Sequence, residues 1–365
     1  MTATPGIGQP VAALPVARRL LPVAAVAASL GATLIVLAVT PADLLGYDYQ
    51  AYLSAARRLV EGQPLYDTTV DVAGGFAIYL YPPPFALAMV AFLLLPTTVG
   101  PWVWAGVLYV SFVIGCLAMP VRSEIRWLTL LLMGTSWPFV YSLKLGQVGP
   151  LLVLTFALGW RWIDRPVQLG AAIAAGTIVK LQPVALLGWA AATRRWRAIG
   201  AALAILFVAG IIVTPLVGPG AWLDYFALLT RVSQPVTTPH NFTPGAVLYG
   251  LGLTEGMAST VQLVGTVTAI GVTVWTWLRR GPAVGYLATV VASQLVSPLL
   301  WDHYAVVLAV PFAYLIDRRQ WWALAIPVIL SLLLFPVTPP IAYPLAFWAL
   351  LLGVAVQRGG PDGGL

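Results

Sequence analysis

Charge is scarce in this chain of 365 residues: Asp, Glu, Lys and Arg together make up 8% of it, against about 25% in a soluble domain. So few charges cannot cover a water-facing surface. Hydrophobic residues make up 60%, the mean hydropathy is +0.90, and several apolar runs approach the ~20 residues that span a bilayer. Soluble enzymes, nucleic-acid binders and secreted disulfide scaffolds are excluded. The apolar runs are continuous rather than alternating, which argues against a membrane β-barrel. The single cysteine, Cys116, allows no intrachain disulfide and no cysteine-based metal site. Two histidines and twelve acids leave little from which to build a metal cage, so neither a metal nor a cofactor is expected. No Walker A loop, no GxGxxG after a strand and no HExxH is present. No internal repeat is visible, which weakens a transporter or flippase reading. The expectation is an all-α, polytopic transmembrane helical bundle of about twelve spans, one integral membrane domain over residues 1–365.

The net charge of +7 is carried by short arginine clusters between apolar runs: Arg18-Arg19, Arg194-Arg195-Arg197, Arg279-Arg280 and Arg318-Arg319. This is the pattern of cytoplasmic loops under the positive-inside rule. Residues 1–19 read as a cytoplasmic tail and Leu20 to Thr40 as an uncleaved first span. Residues 41–81 then form a first extracytoplasmic loop, which holds five of the twelve acids: Asp43, Asp48, Glu61, Asp67 and Asp71. Within it Tyr49, Tyr52, Leu53, Ala56 and Val60 fall on one helical stripe, stopped by Gly62 and Pro64. That predicts an amphipathic helix lying on the outer membrane surface. Residues 218–256 form a second extracytoplasmic loop. Arg122 and Arg126 also belong inside, so only one of the segments 82–96 and 101–120 can cross fully. Trp102, Trp104, Trp321, Trp322 and Trp348 suit interfacial belts.

Both lysines are set apart from the arginine loops. Lys144 sits in SLKLGQVGP and Lys180 in TIVKLQPVALL. An ionisable residue at membrane depth costs about 2.5–3.5 kcal/mol on insertion scales and marks a candidate functional site. Snorkelling to the interface is the alternative, and it fits Lys144 as well as function does; Pro183 just after Lys180 favours function there. A compact ammonium suits a phosphate. Asp48 opens the predicted amphipathic helix, either as its N-cap or as a catalytic base. Ser297-Pro298 should break a segment and leave Trp301, Asp302, His303 and Tyr304 at the outer face. Asp302 can be structural there. His240 and Asn241 lie in the second outer loop; Asn241-Phe242-Thr243 matches a glycosylation sequon, but with Pro244 following it reads as loop chemistry or an acceptor contact.

In order along the chain, GYDYQAYLSAARRLVEGQPLYD, YPPPFALAMVAFLLLP, GQVGPLLVL, IVKLQPVALL with TRRWRA, and SPLLWDHYAVVLAVP resemble the glycosyltransferase family 87 proteins of the GT-C superfold. Members include actinobacterial α-mannosyltransferases that elongate phosphatidylinositol mannosides and lipomannan, and some arabinofuranosyltransferases. The Ala/Gly/Arg-rich, lysine-poor composition also looks like that of a GC-rich actinobacterium. The resemblance implies a polyprenyl-phosphate sugar donor, a glycolipid or lipoglycan acceptor, and a reaction at the extracytoplasmic leaflet of the plasma membrane. It implies that the family's D-[FY]-x-x-Y acid is Asp48, with Tyr52 closing the motif. Its Lys-x-x-Pro is Lys180 to Pro183, and its S-P-x-x-W-x-H is Ser297, Pro298, Trp301 and His303. On this reading Asp48 and His303 are catalytic. Lys180, helped by Lys144 or Arg57, binds the donor phosphate. Tyr52, Gln147, His240, Asn241 and Trp301 contact sugar or acceptor. Mannose is the first choice of sugar and arabinofuranose the alternative; a flippase is the rival from another class.

Overall fold

The structure is a computed structural model that describes residues 15–67, 78–232, 236–238, 240–335 and 338–357. The tail before residue 15 and Asp71 lie outside the described residues. Every regular element among them is helical, as hydrocarbon demands, because a helix satisfies its backbone polar groups within one segment. Helix α1 (Pro15–Val39) leads through a turn to α2 (Tyr47–Val60). Next come α3 (Pro83–Met89), α4 (Gly100–Ala118), α5 (Ser123–Gly134), α6 (Trp137–Leu145) and α7 (Gly149–Arg161). Helices α8 (Pro166–Val179), α9 (Ala185–Ala192) and α10 (Trp196–Val217) precede α11 (Gly220–Val232) and α12 (Pro244–Gly250). The chain finishes with α13 (Glu255–Arg279), α14 (Pro282–Leu295), α15 (Ala309–Asp317), α16 (Ala325–Leu332) and α17 (Ala342–Ala355).

Only α1, α4, α10 and α13 are long and apolar enough to cross alone; α6 and α7, bent by 119° at residues 146–148, add a fifth if counted as one broken span. Several segments that read as spans are shorter. Residues 82–96 form α3 and a 3₁₀ turn, Val90–Leu94, about 18 Å of helix against a hydrocarbon core of about 30 Å. The partial segment is therefore 82–96, and α4 is the one that crosses. Residues 126–143 are broken at Thr135-Ser136 into α5 and α6.

Ion pairs and carbonyl contacts bring the loops near residues 118–122, 161–164, 195 and 317 to one end of the bundle. Arg122 Nε meets Asp317 at 2.7 Å, Arg195 meets Asp164 at 3.1 Å, and Arg161 donates to the Ala118 carbonyl. From this end α7, α8, α14 and α15 extend only 9 to 14 residues. Their far ends stop short of the other side, at residues 149, 180, 295 and 309. The non-helical backbone so created is tolerated because it lines a cavity.

Helix α2 closes that cavity. Its apolar face is not laid on lipid: Tyr49, Tyr52, Ala55, Ala56 and Leu59 are buried in protein, while Val60 is exposed. The aromatic rings of Phe85, Phe92 and Trp104 receive it, with centroids 5.2–6.1 Å from Tyr49 or Tyr52. The apolar face of α2 docks on α3, its 3₁₀ extension and α6, because the aromatic stripe finds a matching aromatic partner. Trp104, expected in an interfacial belt, is buried and donates to the Gly146 carbonyl at 2.7 Å. The start of α2 is capped by Gly46, not by Asp48, which lies in the first turn. Gly46 donates its N–H to the Lys144 carbonyl at 2.8 Å, and Gly146 faces Tyr49 across the joint.

Gly146 has φ +76°, and a Cβ there would lie 2.9 Å from Tyr49 Cβ; Gly62 has φ +66° with open space around it. Gly62→Ala should cost only left-handed backbone strain, about 1–2 kcal/mol. Gly146→Ala adds overpacking of about 1–3 kcal/mol. Thermal unfolding in detergent should show a distinctly larger drop for Gly146→Ala; equal drops would mean that the α2–α6 joint is not tight.

Candidate active site

A cavity of about 1060 Å³ opens at the end of the bundle opposite the arginine loops. Asp48, Tyr52, Lys144, Gln147, Lys180, His240, Trp301 and His303 all line it, although they come from distant parts of the sequence. The helix ends described above bring them together: α2 carries Asp48 and Tyr52, the α6–α7 break Lys144 and Gln147, the α8–α9 turn Lys180, and the turn after α14 Trp301 and His303.

Asp48 is half-buried and faces Lys180 and His303. Burial pushes its carboxyl above the usual carboxylate range, while His303, a hydrogen bond from Gln147, and Lys180 pull it back. Gln147 is itself fixed. Tyr52 Oη donates to Tyr81 Oη at 3.0 Å, and Tyr81 Oη donates to Gln147 Oε1 at 3.1 Å. That leaves the Gln147 amide nitrogen to donate to the carboxylate. Tyr52 and Gln147, assigned to sugar or acceptor from the sequence, are thus the two ends of a buried chain that ends on Asp48.

Lys180 Nζ lies 3.7 Å from the centroid of the Tyr304 ring and 5.9 Å from that of Tyr81, a desolvated cation–π setting. Lys144 Nζ lies 5.7 Å from the Tyr141 ring. The His303 ring packs among Trp301, Tyr304 and Tyr141 at 5.0–6.3 Å. It is 4% exposed; among the described residues neither ring nitrogen has a hydrogen-bond partner, and Nδ1 lies 3.8 Å from Asp302 Oδ1. A buried imidazole left unpaired is costly, and here it faces a cavity that can admit one.

Two expected residues stand elsewhere. Arg57 is exposed on the outer side of α2 and does not line the cavity: two and a half turns after Asp48, it projects from another part of the helix. Asn241 is buried and does not line the cavity either. Its Nδ2 donates to the Pro298 carbonyl at 3.0 Å, and its Oδ1 accepts from Leu300 and Thr243 N–H. It pins the second outer loop to the turn that carries His303. Asp302 holds Trp137 Nε1 at 3.2 Å and the His303 N–H at 3.0 Å, the structural role the sequence allows.

Sequence reasoning gave Tyr81, Tyr304 and Tyr343 no role. Tyr81 opens the YPPPF stretch, and Tyr304 follows His303 at the face where both were expected. Tyr343 carries no such signal. Its hydroxyl lies 2.6 Å from both the Trp301 and Asp302 carbonyls and accepts from Ala305 N–H at 3.1 Å, clamping the backbone around His303. Tyr343→Phe strips these buried groups of their partner and should cost about 1–3 kcal/mol. A thermal melt unchanged from the parent protein would rule the clamp out.

A family comparison covers the stretches that carry Tyr81, Lys144, Gln147, Lys180 and His240; Asp48, Tyr52, Trp301 and His303 lie outside the matched residues. The profile described as "Glycosyltransferase family 87" matches residues 79–300. No curated protein and no solved structure matches the chain. The family profile takes in well over half the chain, from Tyr79 through the Lys180 turn to the start of the His303 turn; this multi-pass membrane protein belongs to glycosyltransferase family 87, and is a glycosyltransferase.

Proposed function

We propose that this glycosyltransferase takes a sugar, mannose first, from a polyprenyl-phosphate donor. The acceptor is a glycolipid or lipoglycan hydroxyl at the extracytoplasmic face of the plasma membrane. The observation that carries the reading is Asp48 itself: one carboxylate, held by Gln147 and flanked by Lys180 and His303, in a cavity large enough for two substrates. A lipid-borne donor is supported by the cavity wall, where Leu44 and Leu334 line it and are also exposed. The extracytoplasmic orientation is supported by the arginines, which gather at the opposite end.

In this scheme the acceptor oxygen attacks the anomeric carbon while Asp48 accepts its proton. The bond from that carbon to the phosphate oxygen breaks, and polyprenyl phosphate leaves with the electron pair. A single displacement inverts the anomeric centre. The leaving phosphate needs charge stabilisation more than a proton. Lys180 supplies it where water is excluded and electrostatic stabilisation is strongest, with Lys144 also in the cavity wall. His303 orients Asp48 or the acceptor hydroxyl through its unpaired ring nitrogens. His240 and Trp301 contact the sugar or acceptor. The scheme uses no metal and no cofactor.

Membranes supplied with polyprenyl-phosphate mannose should lose about 10²–10⁴-fold in transfer on Asp48→Asn. Near-normal turnover in the folded variant would remove Asp48 as base. A panel of polyprenyl-phosphate sugars distinguishes mannose from arabinofuranose, and labelled sugar crossing vesicles without entering glycolipid would favour a flippase.

The base must be ionised, so kcat/KM should fall as pH drops through the raised Asp48 pKa, with its midpoint above the ordinary value of about 3.9. Gln147→Leu removes a hydrogen bond to the carboxylate and should move that acid limb to higher pH. Tyr81→Phe, which frees the Gln147 amide, should move it the same way by less. An acid limb identical in all three proteins would show that the Tyr52–Tyr81–Gln147 chain does not act on Asp48.

A further inference from the structure

At the arginine-bearing end a second cavity, of about 340 Å³, lies between the first turns of α8 and α10, with Arg194, Arg195 and Arg197 in its wall. It is far from the catalytic groups, and none of its residues enters the scheme above. The loops that bound it, residues 161–165 and 194–197, hold five arginines (Arg161, Arg165, Arg194, Arg195, Arg197) and one acid (Asp164), a local charge of +4. Asp164 is taken by Arg195, which also donates to the Ile163 carbonyl and stacks on Trp189 at 5.2 Å. Arg194 and Arg197 are exposed and make no ion pair or side-chain hydrogen bond among the described residues. The two guanidinium groups free to bind a ligand thus stand in the wall of one cavity.

Packing makes the same place more positive. Helices α8 and α10 both begin at this cavity, so they run parallel, and they pack very closely there. A Cβ on Gly170 would meet the Ala198 carbonyl, Ala201 Cβ and Ala202 N. Two parallel helices held together by small residues bring the positive ends of their dipoles side by side. Beside the cavity Trp196 is 63% exposed, and Leu203, Phe207 and Ile211 continue from it as an exposed stripe along α10, which is one of the four full-length spans.

We infer that this cavity binds the headgroup phosphate of an anionic phospholipid whose acyl chains lie along the Trp196–Leu203–Phe207–Ile211 stripe. Guanidinium groups match phosphate oxygens in charge and in bidentate geometry, and a pocket between membrane helices at the arginine-rich face is where such headgroups lodge. The stripe argues for a lipid over a soluble anion, since only a lipid uses both the cavity and the apolar face above it.

The test uses the full chain in neutral detergent, titrated separately with phosphatidylglycerol, phosphatidylcholine and inorganic phosphate. Native mass spectrometry reads bound lipid, and thermal unfolding reads stabilisation. Phosphatidylglycerol should be retained and raise the melting temperature, and the other two should do neither. Arg194→Gln with Arg197→Gln should weaken phosphatidylglycerol binding about thirtyfold. Arg318→Gln with Arg319→Gln, an equal loss of charge at the same end, should leave it within about twofold. Equal weakening by both pairs would reduce the effect to a diffuse field and overturn the site. Stabilisation by inorganic phosphate matching that by the lipid would overturn the lipid assignment. Arg194→Lys with Arg197→Lys keeps the charge but loses the bidentate fork, and should recover part of the binding. Sugar transfer by the doubly substituted Arg194→Gln, Arg197→Gln protein in phosphatidylcholine vesicles should persist, which keeps this test separate from that of Asp48.

Discussion

A carboxylate pressed into a largely apolar bundle is unstable as an anion unless other groups compensate for the water it has lost. Asp48 is such a carboxylate, and much of the structure around it is compensation. Gln147 donates to it, Tyr81 and Tyr52 hold Gln147 in place, Lys180 supplies opposite charge, and His303 stands beside it. Tyr52 shares α2 with Asp48, and the other four groups come from four further stretches of chain, so the carboxylate can sit here only if those stretches converge. The joint between Gly46 and the Lys144 carbonyl, and the Trp104 bond to Gly146, bring two of them to within hydrogen-bonding reach.

Convergence depends on helices that stop early. A segment of 14 residues covers about 21 Å and cannot cross a core of about 30 Å. Helices α8 and α14 end inside the bundle, and α6 and α7 fold back on each other. Their ends expose irregular backbone, which must face a cavity or be clamped by side chains. Asn241, Asp302 and Tyr343 provide the clamps around the His303 turn. Short helices thus create both the space for substrates and the sites from which side chains reach into it.

The two ends of the bundle handle charge differently. At the cavity end, Lys144 and Lys180 share the wall with two acids, Asp48 and Asp302, and with aromatic rings. At the other end, arginines outnumber acids, and some are neutralised by Asp164 and Asp317 or laid over rings, as Arg280 is on Trp275 at 4.6 Å and Arg318 on Tyr314 at 5.2 Å. Arg194 and Arg197 are left over beside the paired dipoles of α8 and α10, which is why that cavity favours an anion.

Composition alone fixed the class of molecule, because 8% charge is incompatible with a soluble surface whatever the fold. The spacing of arginines predicted which loops share an end, since loop charge is set by the membrane before any packing forms. The ordered motifs around Asp48, Lys180 and His303 were enough to suggest the family. Other features were not legible. The α2 stripe looks the same whether it will face lipid or protein, and only the rings of Phe85, Phe92 and Trp104 decide that it faces protein. Arg57 and Asn241 are the right residue types in plausible loops, but which way a side chain points depends on helix phase and on contacts 57 to 59 residues away. The Tyr52–Tyr81–Gln147 chain and the Tyr343 clamp join positions 29 to 66 residues apart and 38 to 42 apart. Local pattern determined the elements and their polarity; the meeting of their ends, which depends on how unequal helices pack, decided the site.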